Sequence, residues 1–196
     1  MSTWLTDSPP QRVAAEGLLL RRWEVRDLEA LNSAVMESRD HIGRWLVWAA
    51  GRTGRIQEQR DYLDRVGDRW DRRDGFDYGI FDPGSGSILG GIGVHPTSNR
   101  GEMEIGYWLH VARVGQGFAT GAARAVTEAA LALPGVERVT ILCDEANHRS
   151  AAIPRRLGYE LVEVRAVDGP RAPGGTGREM VWALKRPEEP DDDGRV

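Results

Sequence analysis

Cysteine and lysine are nearly missing from this chain: Cys143 and Lys185 are the sole examples in 196 residues. A single thiol excludes an internal disulfide and fits a reducing, cytoplasmic compartment. The scarcity of lysine beside abundant arginine is read as a bias of base composition. With a formal net charge of −4 the chain has no general basic character, so a nucleic-acid partner is not expected. No apolar run approaches the ~20 residues that cross a bilayer. The polar stretch Met1 to Gly17 also lacks the apolar core of a secretion signal. The four histidines show no metal-ligand spacing, so no metal is expected. There is no internal repeat.

What is present suffices for one domain with its own core. Residues 1–17 are expected to form a flexible N-terminal arm, 18–186 a single domain, and 187–196 an acidic, disordered tail. Leu18 to Trp23 reads as a strand. Arg26 to His41 carries Leu28, Leu31, Ala34 and Val35 at helical spacing, and Gln57 to Arg73 does the same with Tyr62, Leu63, Val66 and Trp70. Between them lie a dense aromatic cluster, Trp45 to Trp48, and a turn region at Gly51–Gly54. Phe76–Phe81 and Ile88–His95 flank the turn Asp82-Pro83-Gly84-Ser85-Gly86 and read as a hairpin. Glu102 to Val111 continues that series. A helix over Ala119–Leu133, a strand over Val136–Cys143 and a helix capped by Asn147 follow. Glu160–Val167 and Glu179–Lys185 close the sheet. The order predicts an α+β fold with one parallel crossover, from Glu102–Val111 to Val136–Cys143.

The most informative segment is Val114-Gly115-Gln116-Gly117-Phe118-Ala119-Thr120, between a strand and a helix. Small residues there leave backbone N–H groups uncovered at a helix N-terminus, where orphan donors and partial positive charge make a phosphate site. Gly115, Gly117 and Gly121, with Asp144 after the next strand, invite a dinucleotide-binding reading. Three features oppose it. The loop begins several residues after Leu109 rather than at once, the preceding strand is polar at Glu102 and Glu104, and too little chain follows Asp144 for a doubly wound sheet.

Four segments together resemble the GNAT superfamily of N-acetyltransferases, and within it the Rim-type enzymes that acetylate protein N-termini and related amines. They are the loop Val114–Ala119, the strand Glu104-Ile105-Gly106-Tyr107-Trp108-Leu109, the run Asn147-His148-Arg149-Ser150 to Leu157-Gly158-Tyr159 with Ala152-Ile153-Pro154 inside it, and Arg44-Trp45-Leu46-Val47-Trp48. The resemblance covers about Leu18 to Lys185. One departure is plain: Val114 stands where the family usually has Arg or Gln, with Arg113 displaced by one residue. The resemblance implies a twisted, mostly antiparallel sheet of six or seven strands, flanked by helices and splayed between the fourth and fifth strands near Leu109.

It also implies acetyl-CoA as cosubstrate. Backbone amides of Val114, Gly115, Gln116, Gly117, Phe118, Ala119 and Thr120 would cradle the diphosphate. The pantetheine arm would lie along Leu109, His110 and Val111, with Asn147 contacting it and Ser150 near the sulfur. Glu104 is the implied base, Ser150 or Tyr159 the acid, and a backbone N–H near Leu109 the oxyanion donor. Cys143 is read as a small buried hydrophobe rather than a nucleophile. His110 and His148 are read as structural and solvated, respectively. A reference α-amine near pKa 7.8 lies about 2.6 units below lysine, roughly 3.5 kcal/mol less to deprotonate. A protein N-terminus therefore leads as acceptor in a ternary complex, with the enzyme a monomer or homodimer. A small amine such as an aminoglycoside, polyamine, amino acid or peptide-like toxin is the alternative, and a non-catalytic acyl-CoA-binding module the rival from another class.

Overall fold

A computed structural model describes residues 4–15, 17–51 and 55–187. Eight strands form one sheet in the order β1-β2-β3-β4-β5-β6-β8-β7. In chain order they are β1 (Arg12–Ala15), β2 (Leu18–Arg22), β3 (Phe76–Phe81), β4 (Ile88–Pro96), β5 (Glu102–Leu109), β6 (Arg138–Asp144), β7 (Glu160–Ala166) and β8 (Arg178–Lys185). The helices are α1 (Leu28–Gly43), α2 (Val47–Ala50), α3 (Ile56–Arg72), α4 (Phe118–Leu131) and α5 (His148–Arg156). Every neighbouring pair is antiparallel except β5 and β6, so the expected α+β fold with one parallel crossover is what forms. Among the described residues no helix is long and apolar enough to cross a membrane.

The sheet has eight strands rather than six or seven because residues 12–15, expected in a loose arm, pair with β2. Leu5 is buried, Trp4 packs on the same core, and the Tyr78 hydroxyl donates to the Pro10 carbonyl at 2.9 Å. Arg-Val-Ala-Ala is too short to show a strand period of its own, so tertiary pairing decides it. Beyond Pro187, the expected acidic tail lies outside the described residues.

Strand alternation sorts the side chains onto two faces. Leu18, Leu20, Tyr78, Ile80, Ile92, Val94, Met103 and Ile105 face α4. That helix presents Ala119, Ala122, Ala123, Val126 and Ala130, all buried, and short side chains let it lie close to the sheet. On the opposite face, α1 and α3 bury Leu28, Leu31, Val35, Leu63 and Val66 against Trp23, Phe81 and Ile88. A buried anchor fixes the start of α1. Arg21 donates to both Asp27 oxygens at 2.7 Å, and the Glu24 N–H donates to the same carboxylate at 2.9 Å.

Candidate active site

The parallel ladder is short. Residues 102–105 of β5 pair with 138–141 of β6, and beyond Ile105 and Ile141 the strands part. The sheet therefore splits three residues earlier than Leu109, between the fourth and fifth of the strands expected from sequence. The His110 N–H donates to the Leu89 carbonyl on β4 at 2.8 Å. By alternation, the N–H and C=O groups of Tyr107 and Leu109 point the other way, into the gap. An extended ligand can pair with such an edge as an added strand.

His110 and Val111 do not extend that edge. The strand ends at Leu109, and Val111–Arg113 form a single 3₁₀ turn. The Val111 N–H donates to Ser38 Oγ at 3.0 Å, and His110 Nδ1 accepts from the Ala112 N–H at 3.2 Å. That leaves His110 Nε2 to donate to Glu37, 3.2 Å away. Both residues are tied to α1, because buried Ser38 and the 3₁₀ cap satisfy donors that a longer strand would have left open.

The loop after this turn enters α4 through Gly115 and Gly117, at φ +77° and +85°. Left-handed backbone there suits glycine and costs an L side chain about 1–2 kcal/mol. Gly117 is the N-cap, and no side chain caps the helix. The first-turn N–H groups of Phe118, Ala119 and Thr120 thus lack the intrahelical acceptors that later residues have. A Cβ built at Gly115 or Gly117 would meet nothing within 4 Å, so the approach to these donors is open. A backbone concavity at a helix N-terminus with no charged side chain of its own suits a diphosphate.

On the α4 face, the split brings Tyr107 to Ser150. Their hydroxyl oxygens are 3.0 Å apart, and the Tyr107 hydroxyl lies 3.3 Å from the Ser150 carbonyl. Pro154 explains that second contact: it has no N–H to give the carbonyl four residues back, so Tyr107 serves it instead. Asn147 caps α5, its Oδ1 accepting from the Ser150 N–H at 3.2 Å. Burial pushes the Cys143 thiol up, which is the wrong direction for a nucleophile.

Tyr159, expected as a candidate acid, is placed differently. Its hydroxyl is 2.6 Å from Thr127 Oγ1, which itself donates to the Ala123 carbonyl, so Tyr159 is the donor to Thr127. It is buried, and burial pushes its hydroxyl up to about 12; burial raises the Tyr107 hydroxyl as well, so the hydrogen-bond partner is what separates the two. The hydroxyl beside Ser150 belongs to Tyr107. The sequence signal was available: Met103, Ile105 and Tyr107 alternate along β5 on the α4 face, and Tyr107 is the one with a polar tip.

Glu104 lies on the other face, half-buried. Its carboxylate makes no hydrogen bond or ion pair with a described residue. Burial lifts its carboxyl above the ordinary range. Glu179 and Glu102 add to the lift, while His95 and Arg165 oppose it. His95 is its direct partner across β4 and β5, and Gly106 beside it has open space where a side chain would stand.

Other candidates resolve simply. The Asp144 carboxylate accepts from the Ala146 N–H at 2.9 Å and the Thr176 N–H at 2.8 Å, closing loops rather than facing a ribose. His148 is exposed. Trp70 is core, packed edge-on against Phe76 and Tyr78, whereas Trp48 is exposed and Trp45 lies under the Arg44 guanidinium. Among the described residues no group of His, Cys, Asp and Glu could hold a metal ion. A separate pocket of about 460 Å³ lies between the end of α1, α2 and the β7–β8 loop; Glu104, Tyr107 and Ser150 do not line it.

Known proteins resemble this chain in sequence or in fold. A Bacillus subtilis (strain 168) protein named "Putative ribosomal N-acetyltransferase YdaF" is 29% identical over 160 residues, covering 79% of this chain and 83% of that one. RimL, a ribosomal-protein alpha-N-acetyltransferase solved in complex with coenzyme A, superposes with a TM-score of 0.80 at 20% identity, covering 89% of this chain and 97% of that one. Mycobacterium smegmatis RimJ, solved in complex with CoA-disulfide, gives 0.77 at 17% identity, covering 95% and 90%. Residues 17–160 match the family described as the acetyltransferase (GNAT) domain. That span runs from β2 through the split, the glycine loop and α5, and it places this chain in the GNAT acetyltransferase family.

Proposed function

We propose that this chain binds acetyl-CoA in the gap between β5 and β6 and acetylates a protein N-terminal α-amine presented on the α1/α3 face. The observation that carries it is the pairing of an uncapped, glycine-entered helix N-terminus with an open strand edge beginning at Gly106. The names of the B. subtilis relative, a "Putative ribosomal N-acetyltransferase", and of RimL, a ribosomal L7/L12 alpha-N-protein acetyltransferase, support a protein acceptor.

Acetyl-CoA supplies an activated thioester acyl group. The chain's residues have separate tasks around it. First-turn amides of α4 hold the diphosphate, and the backbone of Tyr107 and Leu109 aligns the arm. Asn147 organises the start of α5 so that Ser150 faces Tyr107. The Tyr107–Ser150 hydroxyl pair is a proton source at the gap. Glu104 takes a proton from the acceptor ammonium, directly or through one water. Its unpartnered, half-buried carboxylate is well suited to that, because burial already favours the protonated product. Alignment of both substrates supplies much of the acceleration.

Thiol release from acetyl-CoA, measured with Ser- and Ala-initiated peptides beside polyamines and aminoglycosides, tests the reading. Turnover on the peptides is expected. CoA binding with no turnover on any amine would instead establish a binding module.

A further inference from the structure

On the acceptor face, β3 and β4 carry a second pair of titratable side chains that the family resemblance did not bring forward. His95 Nε2 lies 3.2 Å from both oxygens of Asp77, eighteen positions away in sequence. The Asp77 carboxylate is nearly buried, and Arg69 of α3 stands 3.8 Å from it. Gly93, the register partner of Asp77, makes the contact possible. A Cβ there would fall 2.5 Å from Asp77 Oδ1 and 2.9 Å from His95 Nε2. On the other side, His95 is the register partner of Glu104. Its side chain is 32% exposed, so it reaches both the buried carboxylate and water.

We propose that His95, oriented by Asp77, is the proton outlet of the site: it receives from Glu104 the proton taken from the acceptor amine and releases it to solvent. The proposal rests on Glu104 being the base. Asp77 accepts the Nε2–H, which fixes the tautomer and leaves Nδ1 with a lone pair. The sequence balances in protons. The ammonium gives one to the Glu104 carboxylate, and the resulting carboxylic acid, which makes no direct hydrogen bond to His95, passes it through one water to the neutral imidazole of its register partner. The imidazolium, paired with Asp77, then returns it to water, and both side chains are reset. Arg69 of α3 faces Asp77. Glu102 of β5, Arg165 of β7 and Glu179 of β8 act on Glu104. Tyr62 of α3 stays protonated, its hydroxyl raised by burial and by Asp77.

Ring-nitrogen NMR of the free protein at alkaline pH tests the orientation without substrate. Protonated Nε2 and bare Nδ1 at His95 are expected; the opposite tautomer overturns the relay. Turnover of a Ser- or Ala-initiated hexapeptide by His95→Ala and Glu104→Gln, each checked for cooperative unfolding at a melting temperature no lower than that of wild type, tests the transfer. His95→Ala is expected to lose roughly 10- to 100-fold in kcat with KM for acetyl-CoA unchanged, and to regain rate with added imidazole. Wild-type kcat in His95→Ala, with Glu104→Gln slow, overturns the relay alone. A loss that imidazole does not restore assigns His95 a structural role and overturns it too. Wild-type kcat in Glu104→Gln removes the base itself and the relay with it.

Discussion

The two flanks of the gap between β5 and β6 are built on different principles. In the proposed reaction the cofactor flank works through backbone: first-turn amides of α4 and the open edge at Tyr107 and Leu109. The acceptor flank, as proposed, works through side chains gathered from separate strands, Asp77 on β3, His95 on β4 and Glu104 on β5. A backbone site tolerates a change of side chain provided the path is kept. Val114, which brings no charge to the loop, fits such a site. A side-chain site tolerates no such exchange, but it can be tuned by register and burial.

The sharpest way to break that contrast is to alter the path. Gly117→Val forces a β-branched residue to φ +85° and crowds the first-turn amides. A loss of about 2–3 kcal/mol in CoA binding is expected, roughly 30- to 150-fold in Kd by calorimetry. Unchanged affinity would mean that side chains, not backbone, hold the diphosphate.

On the acceptor flank, Glu104→Gln should lower kcat by about 10²-fold and flatten the acid limb of the pH–rate profile. The sign follows from burial: a raised carboxyl pKa leaves less base at low pH, so wild-type rate climbs through a window above the ordinary carboxylate range. The same shift acts on stability in the opposite sense. Between the unfolded and the raised folded pKa, the folded state holds the extra proton, so stability falls as pH rises through that window. Glu104→Gln should therefore melt at a higher temperature than wild type at neutral pH. A lower melting temperature would show the carboxylate to be a stabilising group.

Smaller effects separate the tyrosines. Tyr107→Phe should cost about tenfold in kcat, since it removes the hydroxyl beside Ser150. Tyr159→Phe should cost about 1 kcal/mol in denaturant unfolding and leave kcat near wild type. Reversed outcomes would return the acid to Tyr159. The two ties to α1 differ, and the exposed one has the smallest effect of all. Ser38→Ala leaves the Val111 N–H unpaired and should cost about 1–2 kcal/mol. Glu37→Gln, at a hydrogen bond whose carboxylate is 65% exposed, should stay within about 0.5 kcal/mol.

The same contrast governs what the sequence could disclose. Residues 104–109 and 114–120 are contiguous because a strand edge and a helix entrance are local objects, so their resemblance and chemistry could be read directly. The Asp77–His95 pair is eighteen residues apart, and the Tyr107–Ser150 pair forty-three. Only the β3/β4 register and the split sheet bring them together, and no local pattern encodes either. In the sequence Tyr159 is marked only by its place at the end of a motif. Its burial against Thr127 follows from how α4 lies on the sheet. The expected strand through Val111 failed for a similar reason, since Ser38 on α1 captures the amide that would have continued it.

Pro154 gives the molecule a built-in dependency. A proline usually weakens the helix that holds it, yet here the bond it withholds is replaced by one from a different element. The start of α5 and the far end of β5 are consequently fastened by a single phenol. Proton exchange at the first turn of α5 should therefore quicken when Tyr107 loses its hydroxyl, although no atom of that helix has been altered.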